Sequence, residues 1–315
     1  MWGRGRRRDR QTEDDVPDET FTFLSRRQVQ SIRSMTVIAF AERGTEVTAH
    51  ADYLEAADGR QFGLGNLCAN CANAPRGEKE WPALVASHVR ILTEKHREVP
   101  LHELSPTEVF ARTYLRLIDV SALPERAWEW FSYARPVCST LREVLAFDSP
   151  ESVAQMRDED VSLFGVENLR DAGLANLLAI RTDDHQALPS DGFTVHVMSG
   201  ESVYYASKLL ILRDVLRRSL GEREYPNGVL VTAAFRHQLA VVPIDGPAVP
   251  QAVSLLANMA HIAYTEEAGP LSPHVYWWKD GLTQITSITE DGRLIVHADG
   301  AFGEMMERVI GSSQS

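Results

Sequence analysis

Two stretches constrain the fold most: GVLVTAAFRHQLAVVPI (228–244) and HVYWWKDGLTQITSITEDGRLIVHA (274–298). Their apolar runs are short and rich in β-branched and aromatic residues, which suit strands. The first run is interrupted at Arg236-His237. The second is interrupted at Asp280-Gly281 and Asp291-Gly292, dipeptides that favour tight hairpin turns. Strands joined by such turns pair antiparallel, since a parallel pair needs a long crossover.

Between these strands lie segments of helical period. Ser25 can cap a helix running to about Arg43, with Gly44 as its stop. TEVTAHADYL (45–54) reads as one strand, and 64–74 and 80–96 as helices broken near Pro75 and Gly77. EVFARTYLRLI (108–118) alternates as a long strand, followed by another at 141–147. At 148–151, DSPE looks like a joint that opens helices at 150–157 and 166–180. A strand at 193–198, a long helix at 201–220 ending at Gly221, and helices at 248–264 and 301–310 complete the series. This mixed order is α+β, with helices packed on mostly antiparallel sheets. It is read as two modules, 20–147 and 148–315, behind a disordered arginine-rich and acidic tail at 1–19.

The net charge of -12 argues against a nucleic-acid surface, which is usually basic. No stretch reaches the roughly 18 apolar residues of a membrane span, so no membrane insertion is expected. The basic first residues lack the apolar segment of a secretion signal. Three cysteines make no disulfide framework, and a cytoplasmic protein is expected.

Chemical motifs are few. Cys68 and Cys71 form a CxxC pair, which could be half of a zinc site, a redox pair, or two core positions. Their place inside a helix, on the face of Leu64 and Leu67, favours packing. Histidines 185, 196, 261, 274 and 297 show no metal spacing, and no metal or other cofactor is expected. Phosphate-loop, zincin, nucleophile-elbow and kinase motifs are absent from the sequence. Ser199 or Ser202 can cap the helix at 201 and leave N–H groups for an anion.

Two places merit attention as sites. Arg236 and His237 sit at a hairpin tip, where a guanidinium can grip a carboxylate or phosphate. Tyr276, Trp277 and Trp278 are consecutive on a strand, so they point to both faces, with His274, Lys279 and Asp280 nearby. An exposed aromatic face there would be a protein-docking surface.

NLRDAGLANL (168–177), GESVYYASKLLIL (200–212) and the 228–244 hairpin resemble the YtpQ-type family of bacterial proteins. The corresponding positions are Ala175, Asn176, Leu177, Tyr205, Ala206, Ser207 and Arg236. This chain has Ala234 or Phe235 where the family's hairpin favours proline. The resemblance spans roughly 150–245 and implies a cytosolic bacterial α+β protein without naming an activity. The leading expectation is therefore a non-catalytic module that binds a protein partner, of adaptor, chaperone-like or immunity type. The alternative is an enzyme or small-ligand binder with a site near Arg236, His274 and Asp280. A third reading gives regulation to the cysteines or to the arginine-rich tail.

Overall fold

The computed structural model describes residues 16–93, 100–149, 153–289 and 291–311. The chain divides into two compact units, one running to Arg97 together with Glu266–Ala268, the other comprising Glu98–Thr265 and Gly269–Ser315.

The smaller unit begins with α1 (Arg26–Ala41). Ser25 and Gln28 form a reciprocal capping box at its start, and Gly44 follows with a positive φ of 76°. Residues 45–54 are not one strand. They make β1 (Val47–Ala49) and the start of β2 (Tyr53–Ala56), joined by a turn in which the His50 N–H donates to the Tyr53 carbonyl at 2.8 Å. Alternating small and polar residues gave the same parity through that turn. The Asp58-Gly59 turn leads to β3 (Gln61–Gly63), completing a sheet in the order β1-β2-β3. Helices α2 (Gly65–Ala72) and α3 (Trp81–Thr93) close the unit around Ile32, Phe40, Leu54, Leu67, Trp81 and Val89. The end of the expected helix at 80–96 lies outside the described residues. Of the expected tail, 1–15 also lies outside them. Residues 16–19 are ordered, with the Arg26 N–H bonded to the Val16 carbonyl and the Asp18 N–H to the Leu24 carbonyl.

The larger unit opens with α4 (Pro106–Ala111), not with a strand at 108. Ser105 and Glu108 form a second capping box, and Pro106 occupies the first helical turn. Strand β4 (Thr113–Asp119) follows and pairs along its whole length with β6 (Leu141–Asp148). The short β5 (Arg135–Pro136) and β7 (Val153–Gln155) flank β6. The expected helix at 150–157 is thus a strand in its described part. The helix starts later, as α5 (Asp158–Phe164), and Gly165 at φ 83° turns the chain into α6 (Val166–Ala179).

A six-stranded antiparallel sheet forms the rest of the frame. Its strands are β8 (Asp184–Ser190), β9 (Phe193–Ser199), β10 (Val229–Thr232), β11 (Gln238–Pro243), β12 (Val275–Trp278) and β13 (Leu282–Gln284). Their spatial order is β13-β12-β10-β11-β9-β8. The edge strand β8 carried no apolar alternation because all its residues are exposed. The expected long helix at 201–220 is a buried 3-10 segment, Tyr205–Ile211, followed by α7 (Leu212–Leu220). The sheet is covered on one face by α8 (Val249–Glu266) and the terminal α9 (Gly300–Gly311), which pack around Leu256, Trp277 and Phe302. The 3-10 segment and α7 cover the other face, around Tyr205, Leu216 and Tyr276. A two-stranded ribbon, β14 (Thr286–Ile288) with β15 (Leu294–Val296), stands beside it.

The division between the two units falls at Arg97 and Glu98 rather than at the joint expected at 148. Strand β6 ends at Asp148 and pairs with β7 beyond it. One core joins Leu145 and Phe147 to Leu169, Leu177 and Tyr204.

Candidate functional site

The cysteine pair is core. Cys68 and Cys71 are both buried and lie among Leu64, Leu67 and Trp81. Burial pushes the Cys68 thiol up to about 12, with the neighbouring Cys71 adding to it. Burial alone raises Cys71 to about 11. A redox or metal-binding thiol needs the opposite shift. In the folded chain only Cys138, which is half-buried, is expected to react with a thiol reagent at pH 8. All three cysteines should react after denaturation. Reaction of Cys68 or Cys71 in the folded state at the rate of an open thiol would remove them from the core.

The aromatic segment is core as well. Tyr276 is 0% exposed and Trp277 7%. The Trp277 ring packs on Phe302 at 5.6 Å, and its indole N–H donates to the Asn227 carbonyl at 2.9 Å. Gly228 permits this packing, since a Cβ there would lie 2.4 Å from the Trp277 Nε1. Tyr276 points to the opposite face, within 2.6 Å of the Ser272 hydroxyl. Both faces of β12 are covered by helices, so of the two readings the sequence leaves open, an exposed aromatic face or core on both sides, the structure has the second.

Asp280 lies apart from the other candidate residues. It sits in the turn after β12, beside a cavity of about 450 Å³ that Arg213, Arg217, Arg223 and Lys279 also line. His274 precedes the other end of the same strand, where Val275 pairs with Thr232. Charges around the cavity are mostly engaged. Arg217 pairs with Asp214 at 2.6 Å, Arg223 pairs with Asp245, and Lys279 donates to the Pro226 carbonyl. Arg213 stacks over Trp278 at 5.7 Å. Glu222, Glu224 and Asp280 balance these cations, so the cavity favours neither sign of ligand.

At the His274 end of the sheet the polar groups are organised differently. The Arg236 N–H donates to the Gly269 carbonyl at 3.0 Å, and the Arg236 carbonyl accepts from the Ala206 N–H at 2.9 Å. Gly269, at φ 76°, leaves room for the side chain, because a Cβ there would lie 2.5 Å from the Arg236 Cδ. The Arg236 Nε–H donates to the His237 Nε2 at 3.0 Å. His237 must therefore be the neutral tautomer with its proton on Nδ1, 3.1 Å from the Gly200 carbonyl. This relay aims the rest of the guanidinium. Burial lowers the Arg236 pKa, and no carboxylate among the described residues pairs with it.

His274 contributes an unsatisfied group. Its Nδ1 is shut off from solvent and has no hydrogen-bond partner among the described residues. Burial lowers its pKa, with Asp119 opposing and His297 adding to the shift.

The sequence did not single out Arg116, on β4. The Leu117 N–H donates to the Ser207 hydroxyl at 3.0 Å, and the adjacent Ala206 bonds to Arg236. One two-residue step thus ties the strand of Arg116 to the turn of Arg236. Arg116 is half-buried, and its side chain makes no hydrogen bond and no ion pair among the described residues. Its pKa is lowered by burial; Tyr204 opposes the shift, and the nearby Arg236 deepens it. Tyr204 stacks on Tyr114, 4.2 Å away and within 8° of parallel. Its hydroxyl is engaged with Asp148 at 3.2 Å.

The buried Arg170 shows how the same unit treats a structural guanidinium. It bonds Glu143 at 3.1 Å, Glu167 at 2.9 Å and the Tyr133 carbonyl. Among the described residues no carboxylate pairs with Arg116 or Arg236.

The N–H groups after Ser199, which could have held an anion, are taken up by the chain itself. The Glu201 N–H donates to Asp183, and the Tyr204 N–H to the Ser202 hydroxyl. Of the positions in the YtpQ-type resemblance, Asn176 donates to the Phe110 and Thr113 carbonyls at 2.8 and 2.7 Å. Tyr205, Ala206 and Ser207 are buried in the 3-10 segment. Among the described residues no group of three or more metal-ligating side chains converges, and no helix is long and apolar enough to cross a membrane. Comparison of the chain with family models, curated proteins and solved structures gives no match.

Proposed function

We propose that the larger unit is a small-ligand binder, with its site at the end of the six-stranded sheet that carries Arg236, His237 and His274. One observation carries this reading: the Arg236 guanidinium is half-buried, braced by His237, and paired with no carboxylate among the described residues. A buried charge is costly unless something pairs with it, and a ligand can be that partner. The site is proposed to work in a reducing cytoplasm, a setting that suits the acidic chain and its free cysteines. A bacterial source is proposed on the YtpQ-type resemblance alone.

The test is a thermal-shift screen of the full chain against a panel of metabolites grouped by charge. A ligand that binds only the folded state, at 100 times its Kd, adds about 2.7 kcal/mol of stability. That gain should vanish in Arg236→Gln. No stabilisation by any class at millimolar concentration would remove the reading.

A protein-binding role keeps one observation in its favour, on a different surface. Leu294, Ile295 and Val296 of β15 are 42%, 43% and 40% exposed. Three adjacent exposed apolar residues on an edge strand suit strand addition by a partner. Under that reading the metabolite panel is silent, so the same screen separates the two.

A further inference from the structure

We propose that Arg116 and Arg236 together hold a phosphate dianion, either free or as the phosphomonoester of a small molecule. The inference rests on the ligand-binding reading above and names its ligand class. Three features of the chain lead to it.

The first is placement. The bond from Leu117 to Ser207 and the bond from Ala206 to Arg236 fix the two arginines on either side of one short segment. Arg116 also shares its strand face with Tyr114, whose ring stacks on Tyr204. The site therefore has a rigid aromatic wall next to one cation.

The second is the absence of internal partners. Arginine is effectively always charged and brings five N–H donors in a planar fork. Such a group, half withdrawn from water, is stabilised by a charged acceptor. Arg170 meets that need with two carboxylates and a carbonyl. Neither Arg116 nor the end of the Arg236 fork meets it among the described residues, and the nearby Asp148 accepts from Tyr204 instead.

The third is charge. Two arginines tied to the same short segment bring two positive charges to it. A monocarboxylate would neutralise only one of them. A phosphate dianion neutralises both and offers enough oxygens for a fork on each side. His237 holds Arg236 in place without adding charge, since its neutral form is the one that accepts from Nε.

The experiment is isothermal titration of the full chain with inorganic phosphate and, separately, with glycerol phosphate. Binding is expected, with glycerol phosphate the tighter if the site takes phosphomonoesters and inorganic phosphate the tighter if it takes the free ion. Arg116→Gln and Arg236→Gln should each weaken binding by about 10- to 100-fold, the loss that goes with one charged hydrogen-bonding partner. Arg116→Lys, which keeps the charge but loses the fork, should fall between. A second readout tests whether Arg116 serves the fold. Without phosphate, Arg116→Gln should melt at or above the wild-type temperature, because it removes an unpaired half-buried charge. The proposal is overturned if neither phosphate binds at millimolar concentration, if both variants bind as wild type does, or if Arg116→Gln is destabilised without phosphate. Stabilisation by an uncharged or monocarboxylate metabolite that depends on Arg236, with no phosphate binding, would overturn the phosphate assignment and leave the ligand-binding reading standing. Silence in both experiments would end both.

Discussion

Trp277→Ala lowers the free energy of unfolding by about 3–5 kcal/mol, the range for truncating a buried tryptophan. The loss should appear as a reduced urea midpoint with little change in slope. It follows from the position of the ring, which fills the space between β12 and Phe302 and gives its N–H to the Asn227 carbonyl. Truncation both opens a cavity and leaves that carbonyl without its donor. Trp278, which remains partly exposed over the Arg213 cavity, should cost less on the same substitution. If Trp277→Ala were as stable as wild type, the segment 276–278 could not be core, and its role as a docking surface would return.

Arg170→Ala should cost a comparable 3–5 kcal/mol, the usual result of breaking a buried ion pair from one side. The Arg170 side chain is 10% exposed and that of Glu143 15%, so the carboxylate left behind has little water to turn to. Glu167, 67% exposed, contributes little by comparison. Replacing both partners with apolar residues, Arg170→Met with Glu143→Leu, should recover most of the loss. A cost below about 1 kcal/mol for Arg170→Ala, the level of an exposed ion pair, would mean that the pair is solvated. Arg170 would then no longer be a fair standard against which to judge Arg116.

Local chemistry made much of the fold legible. Ser25 with Gln28, the Asp58-Gly59 turn and the 228–244 hairpin all lie where near-neighbour preferences place them. Misreadings arose where short-range patterns compete. The segment 108–118 reads as one alternating strand, yet Ser105, Pro106 and Glu108 make a helix start that wins over its first turn. The helix at 150–157 was inferred from a capping pattern, while pairing with β6 draws 153–155 into a sheet. The segment 205–211 is buried from Tyr205 to Leu209, polar residues included, and winds as a 3-10 helix in place of the start of one long helix.

The candidate site was only half readable for a similar reason. Arg236 and His274 flank strands whose pairing the sequence implied, so their proximity to one sheet end was accessible. Asp280 was grouped with them because it is near in sequence, but a strand separates its ends in space. Arg116 sits on an alternating strand, where a charged residue reads as solvent-facing. Only the tertiary step through Ala206 and Ser207 brings it to Arg236. Its one signal in the sequence is a single charge between Leu115 and Leu117, both buried.

The most direct measurement is anomalous diffraction from crystals of the full chain soaked in tungstate, a tetrahedral dianion that mimics phosphate. An anion held by this site gives a tungsten peak whose oxygens lie within hydrogen-bonding distance of both the Arg116 and Arg236 guanidiniums, and the peak disappears in Arg116→Gln crystals. Tungsten bound only elsewhere on the chain, or Arg116 found paired with one of the protein's own carboxylates, would contradict the proposed site.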